Sequence, residues 1–548
     1  MTIFSKIYSL INTIRLSQQN ISYRHTGKLQ CLNIVLLVSF SISSLTLAQE
    51  KPVKLQIPLK IEKRLHTLYL APFMVQTSEL APPFIKETET LIHHALDLSG
   101  WYQKRSGKLQ NFPPNEHTNT PPIINLFAQN TCPDGSSKWV DNHAQLCKAN
   151  CLHFAIQFAL IKEDAYFFLI ARCFNTRNAL ARGNSAQISK SIMEFRSAAL
   201  AEDMQHDARV ILSLIDRINS FTVDAIPFLT SKIRFTHDTS SQNRPEFAHN
   251  RSVANKTSEI TGHQFSTEIW ESLITGSQPR ALFSVPALVV SPVFFTPKST
   301  EHQQGTKQKQ ESVFYVSYES GQPKIYLGSL NEKKDRVRIE FIARQITGLP
   351  GNQLSPALSP SQKELLLIND SSGNPEVWLQ DLNLVESKAF PPHLYFEEKN
   401  ATQATALWHP DGKKIIFVSS MGGAPRLYSL DFPRKKGSKP QLLTRQRGEA
   451  TCPSISPDGK KIVYCVREPG RGSIRQLWVL DLETKTEKQI TSGPGNKENP
   501  SWACDSHHIV FNMDFGQKSA LYMIDLVKCT PILLTNFSSD VRFPQCSN

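Results

Sequence analysis

HPDGKKIIFVSS (409–420) and SPDGKKIVYCVR (456–467) are two copies of one pattern, and this pattern decides the fold. In each copy the proline fixes its own φ, and the glycine takes the positive φ that closes a tight hairpin. The apolar and β-branched residues that follow are typical of a buried strand. DSHHIVFNMDF (505–515) and SPSQKELLLIND (359–370) fit the same template less closely. The carboxyl-terminal half therefore consists of repeats.

An aromatic residue on the predicted third strand marks each repeat, with spacings of 44 to 56 residues. The six marker residues are Trp270, Tyr326, Trp378, Tyr428, Trp478 and Tyr522. Repeats of this length, with several short strands each, are typical of β-propellers, in which four-stranded sheets pack radially around an axis. The sequence predicts six blades. The first strands of five blades are predicted near 287–291, 356–359, 405–409, 452–456 and 499–503.

The first blade has no first strand ahead of its second strand, KIRFT (232–236). The sequence ends in VRFPQCSN (541–548), which resembles the lead-in of a first strand. We expect 541–547 to pair with 232–236, because such a closure seals the ring and removes an exposed sheet edge. The polar insertions 237–266 and 293–310 are predicted to be loops on the rim.

The residues before the repeats predict a small α/β layer domain over 58–222. Its predicted elements are a strand at 66–73, a helix at 82–102 that Gly100 terminates, a hairpin at 153–174 and a helix at about 193–218. The Pro- and Asn-rich segment 104–150 is predicted to be an insertion. The predicted fold class is α+β: this N-terminal small α/β domain, then an all-β six-bladed β-propeller over 230–548 that the C-terminal strand closes.

The amino terminus indicates export. Residues 1–48 contain four Lys and Arg, no acidic residue and an apolar stretch at 32–47 that ends in small residues. This pattern is typical of a secretory signal peptide, here cleaved after Ala48. The stretch is too short and too polar for a comfortable membrane span. We therefore expect an exported chain with a mature N-terminal segment at 49–57 and no integral membrane segment after signal removal.

The composition narrows the classes of protein. The 548 residues are 40% hydrophobic and 20% charged, which excludes a wholly disordered or fibrous protein. The formal net charge is +13, and it falls to +9 once the four positive leader residues are removed. The Lys and Arg residues are scattered, and we find no nucleic-acid motif. We expect a monomer that does not bind nucleic acid.

The export signal, the small α/β domain and the six repeats, in that order, resemble the TolB family, the periplasmic component of the Tol–Pal envelope system of Gram-negative bacteria. Pro410-Asp411-Gly412-Lys413 and Ser456-Pro457-Asp458-Gly459-Lys460 carry the resemblance, which covers 58–548. It implies a periplasmic, non-enzymatic adaptor without a cofactor. Such an adaptor binds the peptidoglycan-associated lipoprotein, Pal, at one mouth of the propeller.

The resemblance also implies which loops face the lipoprotein: those that lead into the first strands. In this sequence they are Asn352, Gln353 and Leu354; Thr402, Gln403 and Ala404; Glu449, Ala450 and Thr451; Asn496, Lys497 and Glu498; and Val541 and Arg542. Polar loops that converge on the axis of a rigid frame suit a protein surface. The alternative interpretation is that they are ordinary solvated turns.

The mature terminus alternates apolar residues, among them Val53, Leu55 and Ile57. The resemblance implies that this segment binds the inner-membrane protein TolA, and an alternating segment can add a strand to a partner's sheet edge. The same pattern equally fits a first strand of the chain's own domain. The segment carries more lysine than the family's partner-binding segment, and the 104–150 insertion and the long leader are further departures.

Two other function classes remain as alternatives. Similar repeats accompany serine peptidases of the prolyl oligopeptidase type, but we find no Gly-x-Ser-x-Gly elbow on a strand–helix turn. A ligand-binding propeller would need aromatic and acidic residues clustered on channel-facing strands, and no such cluster recurs. The run Cys504-Asp505-Ser506-His507-His508 is rich in metal-ligand types but replaces a Pro-Asp-Gly turn, so no metal site is predicted.

Two of the cysteines suggest a disulfide. Cys452 and Cys465 flank the turn at Pro457-Asp458-Gly459. A two-residue turn at 458–459 sets Cys452 opposite Cys465 as a non-hydrogen-bonded pair, in which side chains approach most closely. Disulfides are common in exported proteins. The sequence therefore predicts this disulfide for a regular hairpin, whereas a bulge would shift the register.

Overall fold

The computed structural model describes residues 65–105, 153–175, 192–239, 266–298, 311–332, 339–383, 388–435, 437–445, 448–467, 474–515, 518–535 and 540–547. Residues from Lys63 onward form one compact unit, in which a sheet domain precedes a propeller. The predicted signal peptide (1–48), the mature N-terminal segment (49–57) and most of the three predicted insertions (104–150, 237–266 and 293–310) lie outside the described residues.

A six-stranded mixed sheet lies at the centre of the amino-terminal domain. Its strands are β1 (His66–Leu70), β2 (Met74–Val75), β3 (Tyr102–Arg105), β4 (Phe154–Glu163), β5 (Tyr166–Asn175) and β6 (Ile192–Arg196). Their order is β3-β1-β4-β5-β6, and β2 also pairs with β4. β1 runs parallel to β3 and β4, whereas β4, β5 and β6 are antiparallel. The predicted hairpin is thus β4 and β5.

Two helices share a hydrophobic core with this sheet: α1 (Pro82–Leu98) and α2 (Met204–Val223). α1 begins with prolines in its first turn and ends just before Gly100, which has a φ of +68°, as predicted. A Cβ atom at Gly100 would lie 2.8 Å from Cγ of Asp525 in the propeller, so glycine also permits this close approach. Among the described residues, no helix is long and apolar enough to cross a membrane.

The prediction of a helix from 193 was wrong. Ile192–Arg196 form β6, which pairs with β5, and α2 begins only at Met204. The Asp203 side chain fixes this start because it accepts a hydrogen bond from the Gln205 backbone N at 2.9 Å. Apolar residues on both sides of residue 200 belong to one core, so their spacing does not show where the strand ends and the helix begins.

Six blades form the propeller. Blade I contains β31 (Val541–Ser547), β7 (Lys232–Asp238), β8 (Thr267–Leu273) and β9 (Arg280–Val285). Blade II contains β10 (Val289–Phe295), β11 (Glu311–Ser317), β12 (Lys324–Glu332) and β13 (Ile339–Gln345). Blade III contains β14 (Gln353–Leu358), β15 (Glu364–Asn369), β16 (Glu376–Asn383), β17 (Lys388–Ala389) and β18 (His393–Phe396).

The remaining three blades have four strands each. Blade IV contains β19 (Gln403–Trp408), β20 (Lys414–Ser419), β21 (Arg426–Asp431) and β22 (Gln441–Leu442). Blade V contains β23 (Glu449–Ile455), β24 (Lys461–Arg467), β25 (Arg475–Asp481) and β26 (Glu487–Gln489). Blade VI contains β27 (Asn496–Trp502), β28 (His508–Phe515), β29 (Lys518–Asp525) and β30 (Ile532–Leu533). The predicted fold class is therefore confirmed.

The marker aromatics occupy the third strand of every blade, as predicted. Each lies opposite a residue of the second strand: Trp270 opposite Phe235, Tyr326 opposite Tyr315, Trp378 opposite Leu367, Tyr428 opposite Phe417, Trp478 opposite Tyr464 and Tyr522 opposite Phe511. In blades II, IV and VI the two rings stack, with centroids 5.6 to 6.2 Å apart. Such cross-strand aromatic pairs stabilise a sheet. Gly412 and Gly459 take the positive φ, +69° in both cases, that their turns require.

The carboxyl-terminal strand closes the ring, as predicted. β31 pairs antiparallel with β7, from Val541 opposite His237 to Ser547 opposite Lys232. The first strands contact one another in the order β10, β14, β19, β23, β27, β31 and back to β10. Gln545 joins the closing strand to the next blade, because its Oε1 accepts a hydrogen bond from the Phe294 N at 2.7 Å.

The two ends of the propeller differ. We call the end where the first strands begin the mouth, and the end that carries the Pro-Asp-Gly turns the turn end. The amino-terminal domain packs at the turn end: Trp101 stacks on His507 at 4.4 Å between ring centroids, and Phe228 of the interdomain linker stacks on His508 at 4.2 Å. His508 is fully buried and lies 2.6 Å from the Asp505 carboxylate. The run rich in metal-ligand types is therefore a domain contact.

Candidate interaction surface at the propeller mouth

The fourteen predicted partner-binding residues of the propeller come together at the mouth. All but Asn352 and Thr402 lie within first strands, at or near their beginnings. The prediction that they form loops was therefore wrong for most of them. The first strands of blades III to VI begin two or three residues earlier than predicted, whereas that of blade II begins two residues later.

A β-bulge interrupts the first strand of each blade. The register shifts in all six pairings of first and second strands. The bulge residues have φ between +36° and +52°: Ser291, Ser355, Thr405, Cys452, Asn499 and Phe543. Proline follows each of them except Thr405, which Ala406 follows. Proline fits here because a bulge needs no ladder N–H from it.

The position two residues before each bulge is buried. This position includes five of the predicted contact residues: Gln353, Gln403, Ala450, Lys497 and Val541. Their burial leaves them no exposed surface for a partner, so we correct their expected role from contact to positioning of the mouth. Gln353 shows how: its Oε1 accepts from the Ile325 N at 3.2 Å, and its Nε2 donates to the Leu349 O at 2.8 Å.

Lys497 holds the loop before blade VI. Its Nζ donates to the carbonyl oxygens of Ser492, Gly493 and Pro494 at 3.1, 2.9 and 2.7 Å, and the residue is only 1% exposed. Burial lowers the pKa of the Lys497 ammonium, because the low-dielectric surroundings disfavour the charged form. The buried Lys497 side chain therefore fixes the loop 492–494 at the mouth without itself being accessible to a partner.

The other nine predicted residues are accessible at the mouth. Thr402 and Ala404 are exposed, whereas Asn352, Leu354, Glu449, Thr451, Asn496, Glu498 and Arg542 are half-buried. Hydrogen bonds fix several of them: the Asn352 N and Nδ2 both donate to the Asp370 carboxylate at 2.7 Å, and the Thr402 N donates to the Ser420 Oγ at 2.9 Å. A preorganised polar surface of this kind loses little entropy when a partner binds.

Ion pairs form an arc over blades V, VI and I, which we call the charged arc. Arg467 donates from Nε and Nη2 to the two Glu449 oxygens at 2.9 and 2.7 Å, and this bond lowers the pKa of Glu449. Arg475 Nη1 reaches Glu498 of the next blade at 2.5 Å. Arg542 pairs with Asp514, again across a blade boundary, and with Asp540 at 3.1 Å.

The sequence did not identify Arg467, Arg475, Asp514 and Asp540 as members of this surface. Arg467 and Asp514 end or nearly end second strands, and Arg475 begins a third strand. Those strand ends reach the same end of the propeller as the beginnings of the first strands, because successive strands of a blade are antiparallel. Their positions at the ends of predicted strands in each repeat could have identified them as members of this surface.

The accessible predicted positions of blades III and IV carry no charge. They are Asn352, Leu354, Thr402 and Ala404. Blade II adds two exposed apolar residues near its first strand, Leu288 and Tyr318, whose backbones are joined by a hydrogen bond of 3.1 Å. The accessible predicted positions therefore include charged residues in blades V, VI and I but none in blades III and IV, and protein-binding surfaces often combine polar and apolar regions.

The other predicted sites stand as follows. Val53, Leu55 and Ile57 lie outside the described residues. Cys452 and Cys465 are both thiols, and the bulge places Thr451, rather than Cys452, opposite Cys465, so the predicted register was wrong. Within the described ranges, no group of three or more His, Cys, Asp or Glu side chains is arranged to hold a metal ion.

Comparisons with known proteins identify relatives over most of the chain. The family model described as the TolB beta propeller domain matches residues 274–548. A "Protein TolB homolog" of Protochlamydia amoebophila (strain UWE25) is 29% identical over 475 residues, which cover 86% of this chain and 85% of that protein. A "Protein TolB homolog" of Chlamydia caviae is 31% identical over 320 residues, 58% of this chain and 64% of that protein.

A solved structure shows the same fold. The crystal structure of TolB from Acinetobacter baumannii aligns with a TM-score of 0.57, covering 88% of this chain and 96% of that chain. At 18% sequence identity this likeness concerns the fold alone. Because the family model matches half of the chain and the propeller is present with six closed blades, the chain belongs to the TolB family.

Proposed function

We propose that this chain is a periplasmic, non-enzymatic adaptor that binds a peptidoglycan-associated lipoprotein of the Pal type through the propeller mouth. In this role it supports envelope integrity and cell division within a Tol–Pal system. Membership of the TolB family supports the proposal, and so does the export signal predicted at 1–48.

One observation carries the proposal: the accessible residues of the mouth form a fixed ring at the end of the propeller opposite the domain contacts. His94 Nε2 lies 3.2 Å from the Thr275 O, and Gln278 donates to the Met204 O at 3.2 Å, both at the turn end. The first strands anchor the ring through their bulges and buried side chains. A rigid, polar ring suits a folded protein partner better than a flexible peptide.

A photo-crosslinking experiment tests the proposal. A crosslinking residue at Thr402, Thr451 or Glu498 should capture a Pal-type lipoprotein from an envelope extract. The same residue at Leu442, on the exposed outer strand of blade IV, is the control. Equal capture from Leu442, or capture of no lipoprotein from the mouth, contradicts the proposal.

A matched pair of substitutions tests the same surface by affinity. Ala404→Arg places a long charged side chain at an exposed position of the mouth in blade IV, and we expect it to weaken binding of the purified lipoprotein at least about tenfold. Ala199→Arg makes the same change at an exposed position of the amino-terminal domain and should leave the Kd unchanged. Equal Kd values for the two variants count against the mouth as the binding surface.

We further propose that the mature N-terminal segment, with Val53, Leu55 and Ile57, binds a TolA-type inner-membrane protein by adding a strand to its sheet. Removal of residues 49–57 from the exported chain should abolish this binding and leave lipoprotein binding at the mouth intact. Loss of both activities on truncation, or loss of neither, contradicts the assignment of the segment.

A further inference from the structure

The bulge of blade VI directs a side chain of the first strand toward the second strand. Blade VI shows the geometry: Asn499 is the bulge residue, with a φ of +50°, and its Nδ2 donates to the Asn512 Oδ1 at 2.9 Å. Asn512 is the second-strand residue that pairs with Glu498, the residue just before the bulge. In blade VI the bulge residue therefore contacts the side chain opposite its preceding neighbour.

Blade V repeats this geometry with two cysteines. Cys452 is the bulge residue, with a φ of +48°, and Cys465 pairs with Thr451, the residue just before the bulge. The two thiols thus occupy the places of Asn499 and Asn512. Both pack in one apolar cluster with Val463 and Leu477. Cys452 and Cys465 are not a direct cross-strand pair, because the bulge shifts the register by one residue. The bulge instead turns the Cys452 side chain toward Cys465.

We propose that Cys452 and Cys465 are a redox-active pair that forms a disulfide at the mouth. The disulfide would join β23 to β24 across the bulge of blade V. It would fix the backbone at Thr451, which is part of the accessible ring. The inference rests on the geometry of the bulges and does not depend on the proposed function.

The two thiols have different accessibility, and this sets the order of the steps. Cys465 is 0% exposed, whereas Cys452 is partly exposed. The neighbouring Cys465 thiol lowers the pKa of Cys452, which favours the Cys452 thiolate. Cys452 is therefore the thiol that an external disulfide can reach first.

The electron acceptor is a disulfide, either of a thiol oxidase or of oxidised glutathione. The Cys452 thiolate attacks one sulfur of this disulfide, forms a mixed disulfide and releases the other sulfur as a thiolate. The Cys465 thiol then loses its proton, attacks the Cys452 Sγ and releases the second thiolate. The protein loses two protons and two electrons, and the external disulfide becomes two thiols.

Peptide mapping tests the pair directly. Trypsin cleaves after Lys460 and Lys461, so Cys452 and Cys465 fall on the separate peptides 448–460 and 462–467. The folded chain is incubated with oxidised glutathione, free thiols are blocked by alkylation in denaturant, and the digest is analysed by mass spectrometry without reductant. We expect a crosslinked 448–460/462–467 pair that reduction separates, and a Tm several degrees above that of the reduced chain.

Two variants test whether the crosslink joins Cys452 and Cys465 specifically. Cys452→Ser should leave Cys465 fully alkylated, whereas Cys529→Ser, which removes another partly buried thiol, should leave the crosslink intact. Recovery of both peptides as singly alkylated species after oxidation overturns the proposal, as does linkage of Cys465 to a different cysteine. The wild-type map decides the question even if Cys452→Ser does not fold.

Discussion

Lys497 places a positive charge inside the mouth and shares it among three backbone carbonyl oxygens. Each of these hydrogen bonds satisfies a carbonyl of the loop 492–494. Lys497→Met keeps the apolar stem and removes the donor. We expect it to reduce the free energy of unfolding by about 1–3 kcal/mol, because three hydrogen bonds from a charged donor to the loop are lost. Urea-induced unfolding measures this difference.

Lys460→Met is the matched control for Lys497→Met. Lys460 is exposed in the Pro-Asp-Gly-Lys turn, so the same substitution there should change the free energy of unfolding by less than about 0.5 kcal/mol. If the two variants are equally stable, the carbonyl contacts of Lys497 do not hold the mouth together.

Asp216, which lies where the amino-terminal domain meets the linker, makes the stability of the folded chain depend on pH. Its carboxylate accepts hydrogen bonds from the Phe228, Leu229 and Thr230 backbone N at 3.1 to 3.3 Å. Burial raises the pKa of Asp216 from 3.8 to about 6, although these hydrogen bonds oppose the rise. A pKa raised in the folded state means that the folded chain binds the proton more tightly, so stability falls as the pH rises from about 4 to above 6.

Asp216→Asn removes this titration. The measured quantity is the free energy of unfolding of the wild type minus that of the variant. We expect this difference to fall by up to about 3 kcal/mol between pH 4 and pH 7. Asp224→Asn, which changes an exposed carboxylate at the end of α2, is the control variant. Urea titrations at several pH values measure both, and a flat difference between wild type and Asp216→Asn shows that the carboxylate titrates normally.

At the scale of the element, Arg234 of β7 holds the closing strand and two blades together. It is 2% exposed, and it donates to Glu271 of β8 at 2.9 Å, to both oxygens of Glu311 in blade II at 2.8 and 2.7 Å, and to Ser547 of β31 at 3.2 Å. Its guanidinium also lies 4.7 Å from the centre of the Phe294 ring. One side chain thus joins four strands.

Arg234→Met should lower the free energy of unfolding by about 1–3 kcal/mol, because the buried Glu271 Oε2 loses its donor while Lys232 and Arg280 still bind Oε1. Hydrogen exchange should become faster in Val541–Ser547 before it does so in the other first strands. Lys414→Met is the control, since Lys414 and Asp431 form a largely exposed pair at 3.8 Å that should contribute under about 1 kcal/mol. Equal losses in the two variants contradict the role of Arg234 in closure.

The sequence predicted the strands correctly where a residue type occurs in only one kind of structure. Gly412 and Gly459 mark turns because few other residues take their φ, and the marker aromatics recur because each packs on a second-strand partner. The bulges were missed because Ser-Pro, Asn-Pro and Cys-Pro read as strand starts. Only the paired backbone shows that the ladder begins before the proline.

The sequence predicted where the candidate site lies, but not which of its residues are buried or which ion pairs it contains. Lys497 and Gln403 are polar, and polar residues before a strand suggest an exposed loop. The structure buries both, because each side chain can bond to backbone groups of the preceding loop. Their partners are backbone carbonyls, which a sequence pattern does not display. The charged arc was missed for a related reason, since Arg475 and Glu498 meet only when neighbouring blades pack.

At the scale of the whole molecule, the propeller separates two tasks between its ends. The turn end of blades VI and I receives Trp101, Phe228 and α1, within a core continuous with the amino-terminal domain. The mouth carries the accessible ring. Ring closure links the two ends, because β31 begins with the charged arc at Arg542 and ends beside Lys232, where the linker enters the propeller.

Removal of 541–548 tests this closure. The truncated chain loses the first strand of blade I and exposes the edge of β7, so we expect a lower Tm and aggregation at concentrations where the full chain does not aggregate. A synthetic peptide of residues 540–548 should restore part of the Tm, because the vacated edge of β7 can pair with it again. A peptide with Val541 and Pro544 changed to Asp is the control: the Val541 and Pro544 side chains are buried, so this peptide should not restore the Tm. A truncated chain that melts like the full chain shows that the ring is held without its closing strand.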